Sequence, residues 1–290
     1  MQYSLPEGYL PLHPSSWDLD TLQTAAASGD TVQAAVLYCD KYFDLHIDLF
    51  PYEGIIPCEE AALAAREKEL HKKALLFLVG RPVFARVIGR LPDGRWLLSR
   101  AEAQRQTQCQ LLCGLSVGDV LPAVAVSIAP FGVFCDIGCG LTALLPTENI
   151  SAARVSHAKE RFRVGQRLYA AVSEIDRQSG RISLTHRELL GTWKENADRF
   201  LPGQTVRGVV RGIRSYGVFV ELTPNLSGLA EYSEEYRIGD AVSVFIKSIL
   251  PRRRKIKLNI LGTAEKPLSP TPFSYFITEG NISGWCYHAP

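Results

Sequence analysis

The sequence predicts a mainly β fold of three tandem five-stranded Greek-key barrels joined by short linking helices. Three observations support this prediction: an internal repeat, short runs of alternating apolar residues, and glycine or proline between those runs. Strands of this length, about five to each repeat, suit a five-stranded barrel. The 290 residues are enough for two or three small domains, and 46% of them are hydrophobic, which can fill real cores.

The internal repeat consists of two clear copies. Residues 118–144 match residues 203–229 at a constant offset of 85, and Phe131-Gly132-Val133-Phe134 matches Tyr216-Gly217-Val218-Phe219. The second copy is then eleven residues shorter, and the match resumes at an offset of 74. Two matching blocks separated by one deletion indicate two copies of one domain that differ in a loop. In the middle copy, the predicted strands cover residues 120–128, 133–137, 168–175 and 181–184.

A divergent third copy precedes these two. Residues 43–49 stand where residues 131–137 stand in the middle copy, and a Gly-Ile-Ile-Pro run at 54–57 follows in register. Asp44 replaces the glycine of the aromatic-Gly-x-Phe block, and His46 replaces its second aromatic residue. We therefore expect the same fold here without the full binding face.

Helices are predicted between and within the copies. Serine and aspartate at the start and glycine at the end indicate a helix within residues 16–29, and an alanine-rich run predicts another over residues 59–70. Thr192 and Glu195 form a capping box that starts a linker helix over residues 192–200. These elements divide the chain into six parts. Residues 1–29 are an N-terminal extension, and the three barrels are residues 30–108, 116–190 and 201–263. Residues 191–200 are the linker before the third barrel, and residues 264–290 are an aromatic tail.

Charge is distributed unevenly along the chain. The net charge is only +2, but residues 201–263 contain ten Lys and Arg against five Asp and Glu, whereas residues 1–115 contain eleven against fourteen. A basic end suggests a polyanionic partner for that end. The first residues lack a basic n-region and an apolar h-region, and the longest apolar run, residues 74–79, is far shorter than the roughly 18–20 residues of a membrane span. The sequence therefore predicts a soluble cytoplasmic protein without a membrane partner.

The seven cysteines contain no C-x-x-C pair, which argues against a zinc ribbon and a disulfide framework. Cys109 and Cys113 are four residues apart, a spacing that could place two thiols on one helical face. The prediction for all seven is nevertheless that they are reduced, small, buried hydrophobic residues. A Gly-Cys-Gly run at 138–140 fits a dinucleotide-binding pattern, but no helix is predicted after it, so that interpretation is rejected.

The order of motifs in the repeat resembles that of the S1 RNA-binding domain, an oligonucleotide-binding (OB) barrel named after the largest small-subunit protein of bacterial ribosomes. The motifs are Gly-x-Val, aromatic-Gly-x-Phe-x-Asp/Glu-Leu/Ile, Gly-Leu, Gly-x-x-Val and Arg/Lys-Ile-x-Leu. Residues 118–189 and 203–260 resemble two such domains, and the N-terminal third resembles a degenerate one. The whole chain resembles a short, three-domain member of that ribosomal protein family.

The resemblance implies single-stranded RNA as the ligand and four rings as stacking platforms: Phe131, Phe134, Tyr216 and Phe219. A phenylalanine in a strand is usually a core residue, and positions three apart in a regular strand point to opposite faces. The two rings of a copy can therefore share one surface only if Gly132 and Gly217 lie in a bend or bulge.

The resemblance also implies phosphate contacts. Arg181 and Lys255 occupy matched positions, and further cations surround the same hairpins, although arginine and lysine in a turn are commonly just solvated. The additional predicted RNA-binding residues are Arg177, Arg254 and Lys257, together with a second basic-aromatic cluster of Lys159, Arg161, Phe162 and Arg163. One departure is that the histidine often found after the family's Gly-Leu pair is replaced by Pro57, Pro146 and Glu231, and Glu231 would repel phosphate unless it is paired.

These features predict a protein without enzymatic activity, cofactor, metal or small-molecule substrate. The favoured function is to hold single-stranded mRNA near the small ribosomal subunit during translation. Two alternatives stay open: a general RNA-binding adaptor in decay, transcription or chaperoning, and a protein-interaction scaffold that has lost RNA affinity. The degenerate, acidic first copy is expected to dock on protein rather than RNA, and the aromatic tail is expected to pack on the last barrel.

Overall fold

The computed structural model describes residues 4–9, 16–63, 73–265 and 273–287. Its strands form three closed barrels with one shared order: the first strand pairs with the second, the second with the third, the third with the fifth, and the fourth lies between the fifth and the first. The third and fifth strands are parallel, and the other neighbours are antiparallel. The predicted fold class is therefore confirmed, whereas the domain boundaries stay predictions.

The first barrel follows helix α1 (Leu19–Ser28), and each barrel contributes five consecutive strands. In the first barrel these are β1 (Thr31–Cys39), β2 (Leu45–Leu49), β3 (Tyr52–Ile56), β4 (Pro82–Arg90) and β5 (Trp96–Ser99). The middle barrel consists of β6 (Val120–Ala129), β7 (Gly132–Asp136), β8 (Thr142–Pro146), β9 (Arg167–Asp176) and β10 (Arg181–Thr185). The last barrel consists of β11 (Thr205–Arg214), β12 (Gly217–Thr223), β13 (Leu226–Ala230), β14 (Ala241–Leu250) and β15 (Lys255–Thr263).

Alternation along these strands fills each barrel with its own core. In β7, Val133 and Cys135 are fully buried, while Phe134 between them faces outward and is only half-buried. The same pattern places Val218 and Val220 of β12 inside the last barrel. Because successive side chains of a strand point to opposite faces, one set builds the core and the other is left for the surface.

The helices agree only partly with the sequence prediction. Helix α1 lies within the predicted residues 16–29, with Asp18 as its N-cap and Gly29 as its C-cap. Of the helix predicted over residues 59–70, the structure describes residues 59–63, which include the end of a 3₁₀ turn at Cys58–Glu60; the rest lies outside the described residues. The linker helix, Trp193–Ala197, carries the predicted capping box of Thr192 and Glu195.

A helix that the sequence analysis missed, α2 (Arg100–Gly114), joins the first barrel to the middle one. Its buried face includes Ala101, Ala103 and Thr107 together with the polar side chains of Arg100 and Gln104. This face has no stripe of large apolar residues, which is the usual sequence signal of an amphipathic helix. The linker helix Trp193–Ala197, hereafter α3, joins the middle barrel to the last.

Two terminal segments bind across the barrels. Near the N-terminus, Glu7 forms an ion pair with Arg100 of α2 at 2.8 Å, and its backbone N–H donates to Asp136 of the middle barrel at 2.7 Å.

At the other end, residues 273–287, which we call the C-terminal strap, run mainly over the middle barrel. Phe273 packs on the buried Phe162, and Asn281 forms a β-bridge with Asp119. The expectation that the tail packs on the last barrel is corrected, because only its end, at Tyr287, joins that core.

In the part of the chain that the structure describes, every helix is too short or too polar to traverse a lipid bilayer.

Candidate nucleic-acid interface

The middle and last barrels each present a pair of aromatic rings at the same place. Phe131 and Phe134 meet edge to face with ring centroids 6.0 Å apart, and Tyr216 and Phe219 repeat this arrangement with the same separation. The first ring of each pair projects into solvent, with Phe131 58% and Tyr216 66% exposed. The repetition of this exposed ring, with a second ring beside it, at the same place in two barrels distinguishes it from an aromatic residue exposed singly.

The conflict with strand periodicity is resolved by the turn between the first two strands of each barrel. Phe131 is not in β7 but in the two-residue turn before it, and Tyr216 occupies the same place before β12. The glycine that follows each ring lies too close to the next strand for a side chain. A Cβ atom on Gly217 would lie 2.5 Å from the Ala230 carbonyl oxygen, and one on Gly132 would clash with the Leu145 carbonyl oxygen. The glycine thus lets both rings of a pair lie on one surface.

Strand pairing extends each pair into a row across the barrel. In the last barrel Phe219 lies opposite Gly212 on one side and Leu229 on the other, and Leu229 lies opposite Lys257. In the middle barrel the corresponding row is Ser127, Phe134, Leu144 and Ser183. We call these two rows, with their turn aromatics, the aromatic faces. Leu144 and Leu229 were missed as members of the face, although their match in the repeat was the signal that could have found them.

Cations border the two aromatic faces to different degrees. Lys255 and Lys257 alternate on β15 with buried Ile256 and Leu258, so both point outward on the side of the last aromatic face. Arg254 is exposed in the turn before β15 and adopts a left-handed conformation with φ of 49°. In the middle barrel Arg181 is exposed and lies across the ladder from Asp176. The last barrel therefore combines its rings with more positive charge than the middle one does.

Other predicted cations have partners within the protein. Arg177 is exposed but donates to the carbonyl oxygens of Leu112 and Leu115, at 3.1 and 3.4 Å, and so holds the end of α2. Glu231, the predicted source of repulsion, pairs with Lys247 at 3.0 Å on the surface of the last barrel. This pairing meets the condition under which Glu231 does not repel phosphate.

The second basic-aromatic cluster is divided by the structure. Lys159 and Arg163 are exposed. The expectation that Phe162 and Arg161 face RNA is corrected, because Phe162 is 1% and Arg161 9% exposed. Phe162 belongs to the core of the middle barrel, and Arg161 forms an ion pair with Glu221 of the last barrel.

That ion pair is part of a buried contact between the middle and last barrels. Glu221 also accepts a hydrogen bond from Arg211 at 2.7 Å, and Arg211 in turn pairs with Glu160. Beside them the fully buried Asn225 accepts from the Ala152 N–H at 2.9 Å and donates to the Gly191 carbonyl at 2.8 Å. These residues fix the last barrel against the middle one, so cations in this region serve the protein's own assembly.

Among its described residues, the first barrel does not repeat the edge-to-face ring pair of the other two barrels. Five residues, 40–44, connect β1 to β2 where the other barrels use two, and Phe43 turns toward the core. His46, which stands in the place of Phe134, is 9% exposed and is covered by Tyr38, with ring centroids 4.1 Å apart. The residue at the position of Phe134 is therefore covered by the protein's own Tyr38 ring, which is itself 50% exposed.

Comparison with known proteins identifies the middle barrel. The family described as "S1 RNA binding domain" matches residues 115–187, which contain all five strands of that barrel. The middle barrel thus matches the S1 RNA-binding domain, and for this barrel the resemblance inferred from the sequence motifs is confirmed.

Over a longer stretch the chain is similar to small ribosomal subunit protein bS1. It is 30% identical to bS1 of Leuconostoc lactis over 83% of this chain and 58% of that protein. It is 29% identical to the bS1 homolog of Bacillus subtilis (strain 168) over 57% of this chain and 46% of that protein. The chain thus spans about half the length of these curated relatives.

Among solved structures, a multidomain protein with nucleic acid binding domains from Streptococcus pneumoniae TIGR4 matches 85% of this chain and 77% of that one, with 15% identity and a TM-score of 0.28. A score this low supports no conclusion about the arrangement or the ligand of the barrels.

Proposed function

We propose that the middle and last barrels bind single-stranded RNA on their aromatic faces. The observation that carries this proposal is the repeated pair of rings, with the first ring exposed and the second half-buried, at the same turn and strand of both barrels. Single-stranded nucleic acid offers unpaired base faces, and aromatic side chains beside cations bind them. The S1 RNA-binding domain match of the middle barrel supports the same ligand.

In each barrel the rings and cations have separate tasks. Phe131 and Phe134, or Tyr216 and Phe219, offer one exposed face each to a base, and each stacked base contributes about 1–3 kcal/mol. Arg181, Lys255, Lys257 and Arg254, with Lys159 and Arg163, then neutralise phosphates along the strand and make binding fall with salt. No group in this scheme breaks or forms a covalent bond, so the proposed activity is binding and not catalysis.

We further propose that the RNA is mRNA held in association with the small ribosomal subunit in the cytoplasm. Support comes from the relatives, which are named as small ribosomal subunit proteins. The runner-up is an RNA-binding adaptor in decay, transcription or chaperoning. Co-sedimentation with isolated small subunits separates the two: binding to the subunit supports the first, and RNA binding without co-sedimentation supports the adaptor.

The first barrel is proposed to dock on protein instead of RNA. Its platform position is covered by Tyr38, and the turn beside it carries Asp40 together with Asp44, which stands in place of the glycine. Carboxylates at this place disfavour phosphate. RNA crosslinks concentrated in residues 30–105 would contradict this assignment.

The main experiment is fluorescence anisotropy of a labelled single-stranded RNA of about 20 nucleotides across a salt series. The variant Phe131→Ala/Phe134→Ala/Tyr216→Ala/Phe219→Ala removes both aromatic faces. Tyr42→Ala/Phe50→Ala serves as the matched control, because these two rings are 67% and 63% exposed but lie on the first barrel. We expect tight, salt-sensitive binding that prefers single strands, survives in the control and collapses in the quadruple variant.

Absent binding, or equal binding by the quadruple variant and the control, would leave the protein-interaction scaffold as the better explanation. Circular dichroism and thermal melting of both variants establish that any loss reflects the removed rings and not unfolding.

A further inference from the structure

The outward side of α2 carries two thiols that the proposed function does not use. Cys109 and Cys113 are both exposed, one turn apart on the same face of the helix. Residues four apart on a helix have Cβ atoms about 5–6 Å from each other, so the Cys109 and Cys113 thiols lie within reach of one bound centre. The sequence-based expectation that these two cysteines are buried hydrophobic residues is therefore wrong.

The helix that presents these thiols is fixed at both ends. The Ser99 hydroxyl accepts a hydrogen bond from the Glu102 N–H at 2.9 Å and caps the helix N-terminus. At the other end Arg177 donates to the Leu112 carbonyl oxygen at 3.1 Å. Between them Thr107 and Leu111 are buried against the protein. The two sulfur atoms thus sit on a backbone that needs no rearrangement to bring them together.

The other cysteines differ from this pair. Cys135 and Cys139 are buried, and burial raises the pKa of the Cys135 thiol to about 12. Cys286 is exposed and lies in the C-terminal strap. Cys39 and Cys58 are partly buried in the first barrel, near enough for charge on one to raise the pKa of the other. Within the described residues, only Cys109 and Cys113 combine exposure with a spacing that places two thiols on one helical face.

We propose that Cys109 and Cys113 form a two-thiol binding site for one soft, thiophilic centre, either monovalent copper or trivalent arsenic. Soft thiolate ligands select such centres over hard oxygen-seeking cations. Among the residues that the structure describes, no three His, Cys, Asp or Glu side chains are placed to share a metal ion. The site therefore suits a centre that can be coordinated by two protein ligands, unlike Zn²⁺, which takes four ligands in structural sites.

Neither arsenic nor copper needs an oxidant to bind the two thiols. An aryl arsenoxide reacts with the two thiols by forming two As–S bonds, while both S–H bonds break and the oxygen of the arsenoxide leaves as water. Monovalent copper forms two Cu–S bonds and releases two protons. Because a thiol must lose its proton to bind copper, the apparent affinity for copper rises with pH.

The test uses the full chain in two arms, one with phenylarsine oxide and one with copper(I) supplied as a complex of a competing chelator. Intact-mass spectrometry gives the number of bound centres, and a thiol titration gives the number of thiols protected. We expect one centre and two protected thiols per chain in the presence of excess monothiol. Cys109→Ser and Cys113→Ser should each abolish retention, and Cys39→Ser/Cys58→Ser, which removes the other neighbouring thiols, should retain it.

Retention of either probe by both single variants would overturn the proposal, as would its loss in Cys39→Ser/Cys58→Ser. Loading by one probe and not the other assigns the site to that centre. Failure of both probes to bind the unmodified chain also overturns it. Because Cys109 and Cys113 are exposed, serine at either place should leave the thermal melting of the protein unchanged. A loss of binding by either variant would then reflect the missing thiol and not unfolding.

Discussion

The first and last barrels have the same strand order and the same pairing register, yet they present opposite surfaces. The row that runs Gly212, Phe219, Leu229 and Lys257 in the last barrel runs Tyr38, His46, Ile55 and Leu97 in the first. One row ends in a cation and holds a ring that faces solvent. The other ends in Leu97 and holds His46 beneath Tyr38, a ring that is 50% exposed.

A second position separates the same two barrels. Glu221 of β12 is buried between Arg161 and Arg211, whereas Asp48, at the equivalent place in β2, is exposed. The residue at the strand irregularity of β11 is Arg211, and that of β1 is Leu37, which is 50% exposed. Side chains at equivalent positions therefore differ on two surfaces of these barrels, one for a ligand and one for a neighbouring barrel. The shared strand pairing determines neither surface.

The largest expected effect is on RNA binding, when the two rings of the last barrel are removed. Tyr216→Ala/Phe219→Ala should weaken binding of single-stranded RNA by about 2–6 kcal/mol, since two rings are removed and each stacked base contributes about 1–3 kcal/mol. Tyr38→Ala in the first barrel should change the Kd less than about twofold, because that ring covers His46 rather than a base. Fluorescence anisotropy measures both, and equal losses would remove the distinction between the barrels.

The next effect concerns the buried charges. Glu221→Gln leaves Arg161 and Arg211 without their shared carboxylate, and removing one member of a buried ion pair costs about 3–5 kcal/mol. Asp48→Asn, at the equivalent exposed position, should cost less than about 0.5 kcal/mol. Hydrogen exchange resolved by peptide, over β11–β13 and over β1–β3, reports the local free energy of opening. Unchanged protection in β11–β13 would show that the network does not stabilise the docked state.

The third expected effect concerns the stability of the middle barrel at low pH. His186 is fully buried, and burial lowers its pKa to about 4, although Nδ1 lies 2.8 Å from the Ile150 carbonyl oxygen. Because the folded pKa lies below the ordinary 6.5, His186 contributes stability at neutral pH that is lost as pH falls from about 6.5 to about 4. The loss is about 3 kcal/mol at about 1.4 kcal/mol per pH unit.

The last barrel has Ile260 at the position equivalent to His186 and should not share this loss. Urea unfolding followed by proteolysis, with cleavage mapped to each barrel, should show a midpoint that falls between pH 7 and pH 4.5 in the middle barrel. Parallel shifts in both barrels would assign the effect to other groups.

The smallest effect tests the hairpins. Lys255→Ala/Lys257→Ala in the last barrel should make log K less steep against log salt by about 0.7 for each phosphate of a single strand that the variant no longer neutralises. Arg95→Ala in the equivalent turn of the first barrel is the control, because Arg95 is held by Asp93 at 2.6 Å. Identical slopes for the two variants and the unmodified chain would place the phosphate-binding cations elsewhere.

The fold could be predicted from the sequence because the repeat is local and periodic. The offset that aligns Phe134 with Phe219 also aligns Leu144 with Leu229, and strand pairing places both sets in the same register. The rings were identified for the same reason. What could not be predicted is how the barrels meet, since Arg161 and Arg163 look alike in sequence and only the distant Glu221 buries one of them. Helix α2 was missed because its buried face is small and polar.

The C-terminal strap has a consequence for the order in which the protein is made. Synthesis runs from the N-terminus, and domains fold as they emerge. The strands of the middle barrel end at Thr185, but Phe273 and Tyr275, which cover its His186, come only after the whole last barrel. Until then Phe162 lacks its packing partner from the strap, and His186 lacks the Tyr275 hydroxyl that lies 3.1 Å from Nε2 in the finished protein. The strands of the middle barrel are therefore synthesised before those of the last barrel, whereas two of the rings that cover the middle barrel are synthesised afterwards.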